Sequence, residues 1–539
     1  MIVLGMSGGT SLGNQDGAAA LIIDGRLVAA AEEERFVGIK FANGHLPASA
    51  IRYCLRQAGI RIQDVDAAVF AGRTYVDIET TLRRFFEQNL GFSPPIRLVD
   101  HHEAHAASAW YADGAKDALV VTWDNSGDGR STTVWDASNG EMKLLADFHR
   151  PNSVGLYYSA VTQFLGFTRD SDEYKVMGMA AYGKPTFDFS HILEIRDGGY
   201  QFHSDFLTGI VPGRPQPSKH VGLFDKFPLP VPRRVAGSTF DQVHFDVAAS
   251  AQTQLERVAT SLVSHWAKKS GRRKVCFAGG VALNCLMNQR VRELPEIDDV
   301  FVPPICSDAG LALGAAYLVS AAEGQFPEPL AHAYWGPEYT SAQIKETLDR
   351  AGAEHRTTSD PAEAAATLIA EGKIIGWFQG RMEFGPRALG CRSILANPKV
   401  HGMKDQINQR IKFREEYRPL APSVIHERGS EFFRDYRNSP FMTQTFDASA
   451  GLAQIAPDVV HADGTSRIQS VHAATNPLYT RLIHEVEKRT GLPIVLNTSL
   501  NAYNDPIASA PHQALRTYFS TGLDALVIGD MVLEKRRSS

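Results

Sequence analysis

Ile2-Val-Leu-Gly-Met6, the glycine-rich Ser7 to Gly17, Ala18-Ala-Ala-Leu-Ile-Ile23, Asp24-Gly25 and Leu27-Val-Ala-Ala-Ala31 open the chain. They read as strand, loop, strand, turn, strand. Short apolar runs bounded by glycines have strand character, and Asp-Gly is a hairpin signal. A second strand pair follows at Ala118–Trp123 and Ser131–Trp135, joined by the turn Asn125-Ser-Gly-Asp-Gly129. A third passage, Lys274-Val-Cys-Phe-Ala-Gly-Gly-Val-Ala-Leu-Asn284, is a buried strand running into a Gly-Gly loop and a helix start. That layout offers backbone N–H groups and a helix dipole to an anion. Helical periodicity appears at residues 47–59 after Pro47 and again at about 246–268, so strands and helices are interspersed and the class is α/β.

Periodicity is lost over residues 324–340, which hold three prolines, and the domain boundary is expected there: 1–335 and 345–539. Beyond it come a helix at about 361–371, a strand from Lys373 to Gln379, an arginine-rich stretch, Ile494-Val-Leu-Asn-Thr-Ser-Leu-Asn501, and a strand-like Ala525 to Gly529. A chain of 539 residues is too long for one core. The net charge of -5 argues against a nucleic-acid footprint spread over the surface. The five cysteines form no C-x-x-C pair, which fits a reducing compartment and disfavours a zinc ribbon or a disulfide framework. No basic leader and no apolar run of about 18 residues is seen, so a cytoplasmic protein without membrane partners is expected.

Two motifs carry chemistry. In His101-His-Glu-Ala-His105 the first and last histidines are four apart, so on a helix both imidazoles project from one face. The spacing suits one metal ion, and the alternative is a polar helix face. Position 102 is His rather than the Glu of a zinc protease, so hydrolysis of that kind is not indicated. Spacing alone joins no carboxylate to the pair. Arg381, Arg387, Arg392, Arg410, Lys412, Arg414 and Arg418 are interleaved with Gly and Pro, as in loops that converge guanidinium groups on a phosphate or carboxylate. A solvated basic surface is the alternative.

Six motifs in this order resemble one family: Ala31-Glu-Glu-Glu-Arg-Phe36, His101-His-Glu-Ala-His-Ala106, Asp172-Glu-Tyr-Lys-Val-Met-Gly-Met-Ala180, Phe277-Ala-Gly-Gly-Val-Ala-Leu-Asn284, Gly385-Pro-Arg-Ala-Leu-Gly390 and Leu496-Asn-Thr-Ser499. The chain is similar over its whole length to the O-carbamoyltransferases that decorate nodulation factors, cephalosporins, aminoglycosides and macrocyclic antibiotics. The resemblance implies an N-terminal domain of the actin-like (RNase H-like) ATPase fold, the first strand pair and its loop being how such ATPases open, and a C-terminal YrdC-like α/β domain. It implies that carbamoyl phosphate and ATP, as its Mg(II) complex, react in the second domain to give carbamoyl-adenylate. Fe(II) in the first domain then assists transfer to a hydroxyl. Carried over by position, the metal ligands are His101, His105, Asp124 and Asp308. Mixed imidazole and carboxylate ligation also suits Mn(II) or Zn(II). The nucleotide loop is Gly279, Gly280, Val281 and Asn284, with Lys175. Arg387, Lys412, Arg418, Arg467, Asn497 and Ser499 match positions that hold carbamoyl phosphate and ATP, and Lys40 and Arg73 match positions that steady the carbamoyl oxygen.

Family members commonly carry His-Asp before the first small-residue strand, and that His is a base for the acceptor hydroxyl. This chain reads Gln15-Asp16, and glutamine cannot accept a proton at neutral pH. Asp16, His45, His102 or the acceptor itself is then expected to serve. The expected acceptor is a small molecule of antibiotic or other secondary metabolism, taken by a monomer or homodimer. Transfer to a macromolecule such as tRNA or a maturation protein is the alternative. Residues 206–239, rich in Pro, Gly and Phe, are expected to form either an acceptor-facing lid or a surface loop.

Overall fold

β1 (Ile2–Ser7), β2 (Ala18–Ile23), β3 (Arg26–Glu32), β4 (Ala67–Ala71) and β5 (Ile96–Val99) form a sheet in the order β3-β2-β1-β4-β5. β1 is antiparallel to β2 and parallel to β4, with Leu4 opposite Leu21 and Val3 opposite Ala67. The helices Ala48–Ala58 and Ile78–Leu90 make the crossovers that parallel strands require. The alanine-rich helix Leu311–Ala322 lies so close to β1 that a Cβ on Gly5 would stand 1.8 Å from the carbonyl oxygen of Ala312. Glycine at that position is what lets helix and strand meet. The computed structural model describes residues 1–9, 16–203 and 223–535, so Gln15 and residues 206–222 of the expected lid lie outside the described residues.

A second sheet has the same plan. β6 (Asp117–Gly127), β7 (Arg130–Ser138), β8 (Glu141–His149), β11 (Lys274–Ala278) and β12 (Asp299–Phe301) run in the order β12-β11-β6-β7-β8, with β9 (Leu193–Arg196) and β10 (Gly199–Phe202) forming a separate hairpin. β6 is antiparallel to β7 and parallel to β11, just as β1 is to β2 and β4. The duplicated order, with its repeated strand directions, is that of the actin-like ATPase fold, as the opening strands lead one to expect.

The C-terminal strands are β13 (Arg356–Thr357), β14 (Ile375–Phe378), β15 (Arg392–Ala396), β16 (Ala421–Ile425), β17 (Thr445–Asp447), β18 (Thr465–Arg467), β19 (Gln469–Val471), β20 (Ile494–Ser499), β21 (Ala525–Ile528) and β22 (Met531–Glu534). All but the β17-β18 pair build an eight-stranded sheet in the order β13-β22-β21-β14-β15-β20-β16-β19. Side chains alternate between its faces. Ile375, Trp377, Leu395, Val495 and Val527 enter one apolar cluster, whereas Phe378, Ile394, Leu496 and Ile528 enter another. Both faces are therefore covered, which explains why these strands read as unbroken apolar runs. The helices Pro361–Ala370 and Pro477–Thr490 pack into the first cluster.

The chain divides into two compact units, one of residues 1–71, 75–99 and 303–539 and the other of residues 72–74 and 100–302. Among the described residues, no helix is long and apolar enough to cross a membrane.

Candidate active site

Asp100 caps the helix His101–Asp113, its carboxylate accepting the Glu103 N–H at 3.0 Å. The helix brings His101 and His105 to one side, where β6 presents Asp124. His101 Nε2 lies 3.0 Å and His105 Nε2 3.4 Å from Asp124 Oδ2. All three side chains are buried. Burial works against the Asp124 charge, yet hydrogen bonds with His101 and His105 hold its pKa well below the usual carboxylate range. Small residues leave the room. A Cβ on Gly127 would fall 2.0 Å from the His101 ring, and one on Gly279 (φ 88°) would fall 2.0 Å from the Trp123 carbonyl oxygen. Atoms about 2.1 Å from one ion stand roughly 3.0 Å apart at a right angle and roughly 3.4 Å apart at the tetrahedral angle. Each imidazole nitrogen keeps such a separation from the carboxylate oxygen, so these donors could share a divalent transition metal.

His102, beside the pair, has other work. Its Nδ1 meets Thr122 Oγ1 at 2.6 Å, Thr122 meets Thr133 at 2.6 Å, and Trp135 Nε1 donates to Thr133 at 2.7 Å. Burial first, then the neighbouring His101, pulls the His102 pKa down to about 3, so the ring is a neutral member of a buried polar chain. Asp128 accepts the N–H groups of Arg73, Thr74 and His101, each at 3.0 Å. It fastens the turn carrying Arg73 to the start of the histidine helix.

In the other unit Asp308 opens the short turn before the helix Leu311–Ala322. Asp16 has φ 60°, and its N–H donates to the Phe41 carbonyl at 2.6 Å. Burial first, and then the negative charge of Asp308, push its carboxyl up to about 8, against a hydrogen bond with Ser307.

The segment Gly385–Arg392 is held almost entirely by side chains. Glu383 Oε1 accepts the N–H groups of Leu389 (2.7 Å), Cys391 (2.7 Å) and Arg392 (3.2 Å). Asn497 Nδ2 donates to the Ala388 carbonyl at 3.1 Å, and Gln469 Nε2 and Tyr334 Oη donate to the Leu389 carbonyl at 2.8 and 2.9 Å. Arg387 stands on this loop, half-buried. Nearby in the fold, Lys412 Nζ donates to the Ser499 carbonyl (2.5 Å), the Asn501 carbonyl (3.0 Å) and Asn501 Oδ1 (2.7 Å). Burial, then the cations Arg414, Arg418 and Lys40, push the Lys412 pKa well below that of a free lysine.

The family model described as "Carbamoyltransferase N-terminus" matches residues 8–89 and 73–317, and "Carbamoyltransferase C-terminus" matches residues 366–535. The chain belongs to the carbamoyltransferase family. It is thus a transferase whose substrates are a carbamoyl donor and an acceptor. It is 38% identical to the nodulation protein NolNO of Sinorhizobium fredii over 100% of this chain and 83% of that protein. It is 40% identical to the nodulation protein NolO of Bradyrhizobium diazoefficiens over 82% of this chain and 80% of that protein. Among solved structures it resembles HypF of T. kodakarensis, with a TM-score of 0.40 and 16% identity over 60% of this chain and 48% of HypF.

Within this carbamoyltransferase the structure gathers His101, His105 and Asp124, and separately Lys412 with Ser499 and Asn497 with the Arg387 loop. Arg467 ends β18, opposite Thr445 on β17. Gly279, Gly280 and Val281 lead from β11 into a short turn. Asn284 caps the helix Cys285–Arg292 and exchanges amide hydrogen bonds with Gln252 at 2.8 and 2.9 Å. Lys175 pairs with Asp172 at 3.1 Å. The arginine-rich stretch divides by job. Arg392 is fully buried, donating to the carbonyls of Gln379, Cys391 and Pro337 and stacking on Phe378. Arg381 bonds the Val28 and Trp335 carbonyls, and Arg410 bonds Gly522 and Asp524. These three arginines are framework. Glu383, Gln469 and Asp128 were not among the sequence-predicted site residues. A lone acidic or amide residue has no spacing signal, and only the backbone groups it meets reveal what it does.

Proposed function

We propose that the chain makes carbamoyl-adenylate from carbamoyl phosphate and ATP and passes the carbamoyl group to a hydroxyl of a small natural product, such as an antibiotic or other secondary metabolite. The observation that carries this reading is the gathering of Arg414, Arg418 and Lys40 around the buried Lys412, whose amine they and burial hold well below the pKa of a free lysine, so that a bound anion would restore its charge. Such a centre gains most from a small dianion. Arg387, Lys412, Arg418, Arg467, Asn497 and Ser499 are its proposed ligands, in a YrdC-like domain of residues 345–539. Replacing the phosphoryl group of carbamoyl phosphate by an adenylyl group breaks the carbamoyl O–P bond, with water taking the phosphoryl group. A carbamate oxygen then bonds to the α-phosphorus of ATP, so each turnover releases one phosphate and one pyrophosphate.

Transfer is assigned to residues 1–335. His101, His105 and Asp124 would hold Fe(II), with Mn(II) or Zn(II) as alternatives, and Asp308 is proposed as the fourth ligand. When bound, the metal supplies Lewis-acid polarisation of the carbamoyl oxygen. Gly279, Gly280, Val281, Asn284 and Lys175 would hold the adenylate. Lys40 and Arg73 would steady the carbamoyl oxygen. Asp16, with its raised pKa, would take the proton of the acceptor hydroxyl, replacing the histidine that Gln15 displaces. His102 is unsuited to that task because its ring is buried and bonded to Thr122.

The test is pyrophosphate release from ATP. Adding carbamoyl phosphate to the purified protein is expected to start pyrophosphate release that is absent with ATP alone. No carbamoyl-phosphate-dependent pyrophosphate means that the adenylate is not made.

A further inference from the structure

The motif Ala31-Glu-Glu-Glu-Arg-Phe36 has no part in the chemistry above, yet each of its charged residues is committed to a backbone group elsewhere in the chain. Arg35 and Glu32 are 2% and 7% exposed and pair at 2.6 Å. Together they grip one residue of the anion loop from both ends. Glu32 Oε1 accepts the Gly385 N–H at 3.1 Å, and Arg35 Nη2 donates to the Gly385 carbonyl at 2.9 Å. Gly385 has φ 134°, and a Cβ there would fall 2.4 Å from the Pro304 carbonyl oxygen, so the gripped residue is confined on its other side as well. Two residues later stands Arg387.

The same guanidinium reaches the other way. Arg35 Nη1 donates to Glu34, whose other oxygen accepts the Phe41 N–H. The Phe41 carbonyl in turn accepts the Asp16 N–H at 2.6 Å. Phe41 and Ala42 both hold left-handed backbone (φ 63° and 45°), which L-residues keep only when their surroundings impose it. Lys40 precedes them. Glu33 stands apart, accepting the N–H groups of Ser49 (3.0 Å) and Ala50 (2.7 Å) at the start of a helix.

We propose that Glu32, Glu34 and Arg35 are positioning residues of a two-sided clasp. Glu32 and Arg35 hold Gly385, and with it the carbamoyl-phosphate loop. Glu34 and Arg35 hold the Lys40–Ala42 turn and Asp16, so one buried guanidinium keeps the donor loop and the transfer residues in register. A charged clasp suits this task because its hydrogen bonds are directional and it cannot slide as an apolar contact can. The inference deepens the proposed two-step reaction and rests on it for its kinetic consequences.

The two arms should therefore fail separately. Glu32→Ala is expected to raise the KM for carbamoyl phosphate in pyrophosphate release about tenfold or more while leaving kcat within about twofold. Glu34→Gln should leave that KM within about twofold. By amide hydrogen exchange followed by mass spectrometry, Glu32→Ala should speed exchange over residues 384–388 about tenfold without changing β15. Glu34→Gln should speed it over residues 36–45 instead. If Glu32→Ala does not fold, Glu32→Gln, which keeps an acceptor but loses the charge that holds Arg35, is expected to move the same readouts in the same direction by less. The clasp is wrong if the two variants raise KM alike, or if the Glu32 variants leave exchange at 384–388 unchanged. Should the wild-type protein release no pyrophosphate, the adenylate reading falls while the exchange comparison still decides for or against the clasp.

Discussion

Asp16 is where this chain's own chemistry is most exposed to test. A carboxylate is an ordinary base with an ordinary pKa too low to take a proton from an alcohol, and burial together with the Asp308 charge raises it to about 8. Asp16→Asn keeps the size and the N–H that bonds Phe41, so the fold should persist. With an acceptor found by screening alcohols against labelled carbamoyl phosphate, Asp16→Asn is expected to lower carbamoyl transfer at least about a hundredfold, in line with the loss of a general base. Pyrophosphate release should stay near that of the wild type. Transfer at the wild-type rate would remove Asp16 from the role.

At the scale of the element, the Gly385–Arg392 segment is a loop by shape and a rigid part by bonding. One carboxylate oxygen of Glu383 takes three N–H groups, and its partner oxygen is buried with no hydrogen-bond partner among the described residues. Removing the carboxylate leaves those amides buried and unpaired, each costing about 1–3 kcal/mol. Glu383→Ala is expected to lower stability by about 3–5 kcal/mol in urea unfolding. Glu383→Gln retains an amide oxygen, so about half that loss is expected. An alanine variant as stable as the wild type would mean that water or a shifted backbone replaces Glu383 and that the loop is not held as described.

For the whole molecule, the metal residues and the adenylate residues belong to different parts of the proposed cycle. His105→Ala should therefore abolish carbamoyl transfer and reduce bound divalent metal, measured by elemental analysis after dialysis, while retaining at least about half of the carbamoyl-phosphate-dependent pyrophosphate release. Equal loss of both activities would show that the steps are not divided in this way. The two compact units do not follow chain order, since the chain leaves the first unit for residues 72–74 and again at residue 100, returning at 303. No local signal near either position announces that excursion, because it depends on which sheet each strand joins and not on the strand's own sequence.

Periodicity, turn residues and spacing determined a good deal of this protein. The Asp24-Gly25 turn foretells the β2–β3 hairpin, the apolar runs at 274–278 and 525–528 are strands, and the four-residue step from His101 to His105 puts two imidazoles on one helix face. These are local consequences of backbone geometry, in which neighbours in sequence are neighbours in space. The family motifs carried the reading further, to Asp124 and the Arg387 loop. Tertiary structure alone decided what each charged residue is for. It made Arg392 a framework residue and kept Arg387 on the loop. It turned His102 away to Thr122, and it gave Glu32, Arg35 and Glu383 backbone partners up to some 350 residues distant. A buried charge is stable only beside the groups that satisfy it, and those groups are brought to it by the fold and not by its position in the chain.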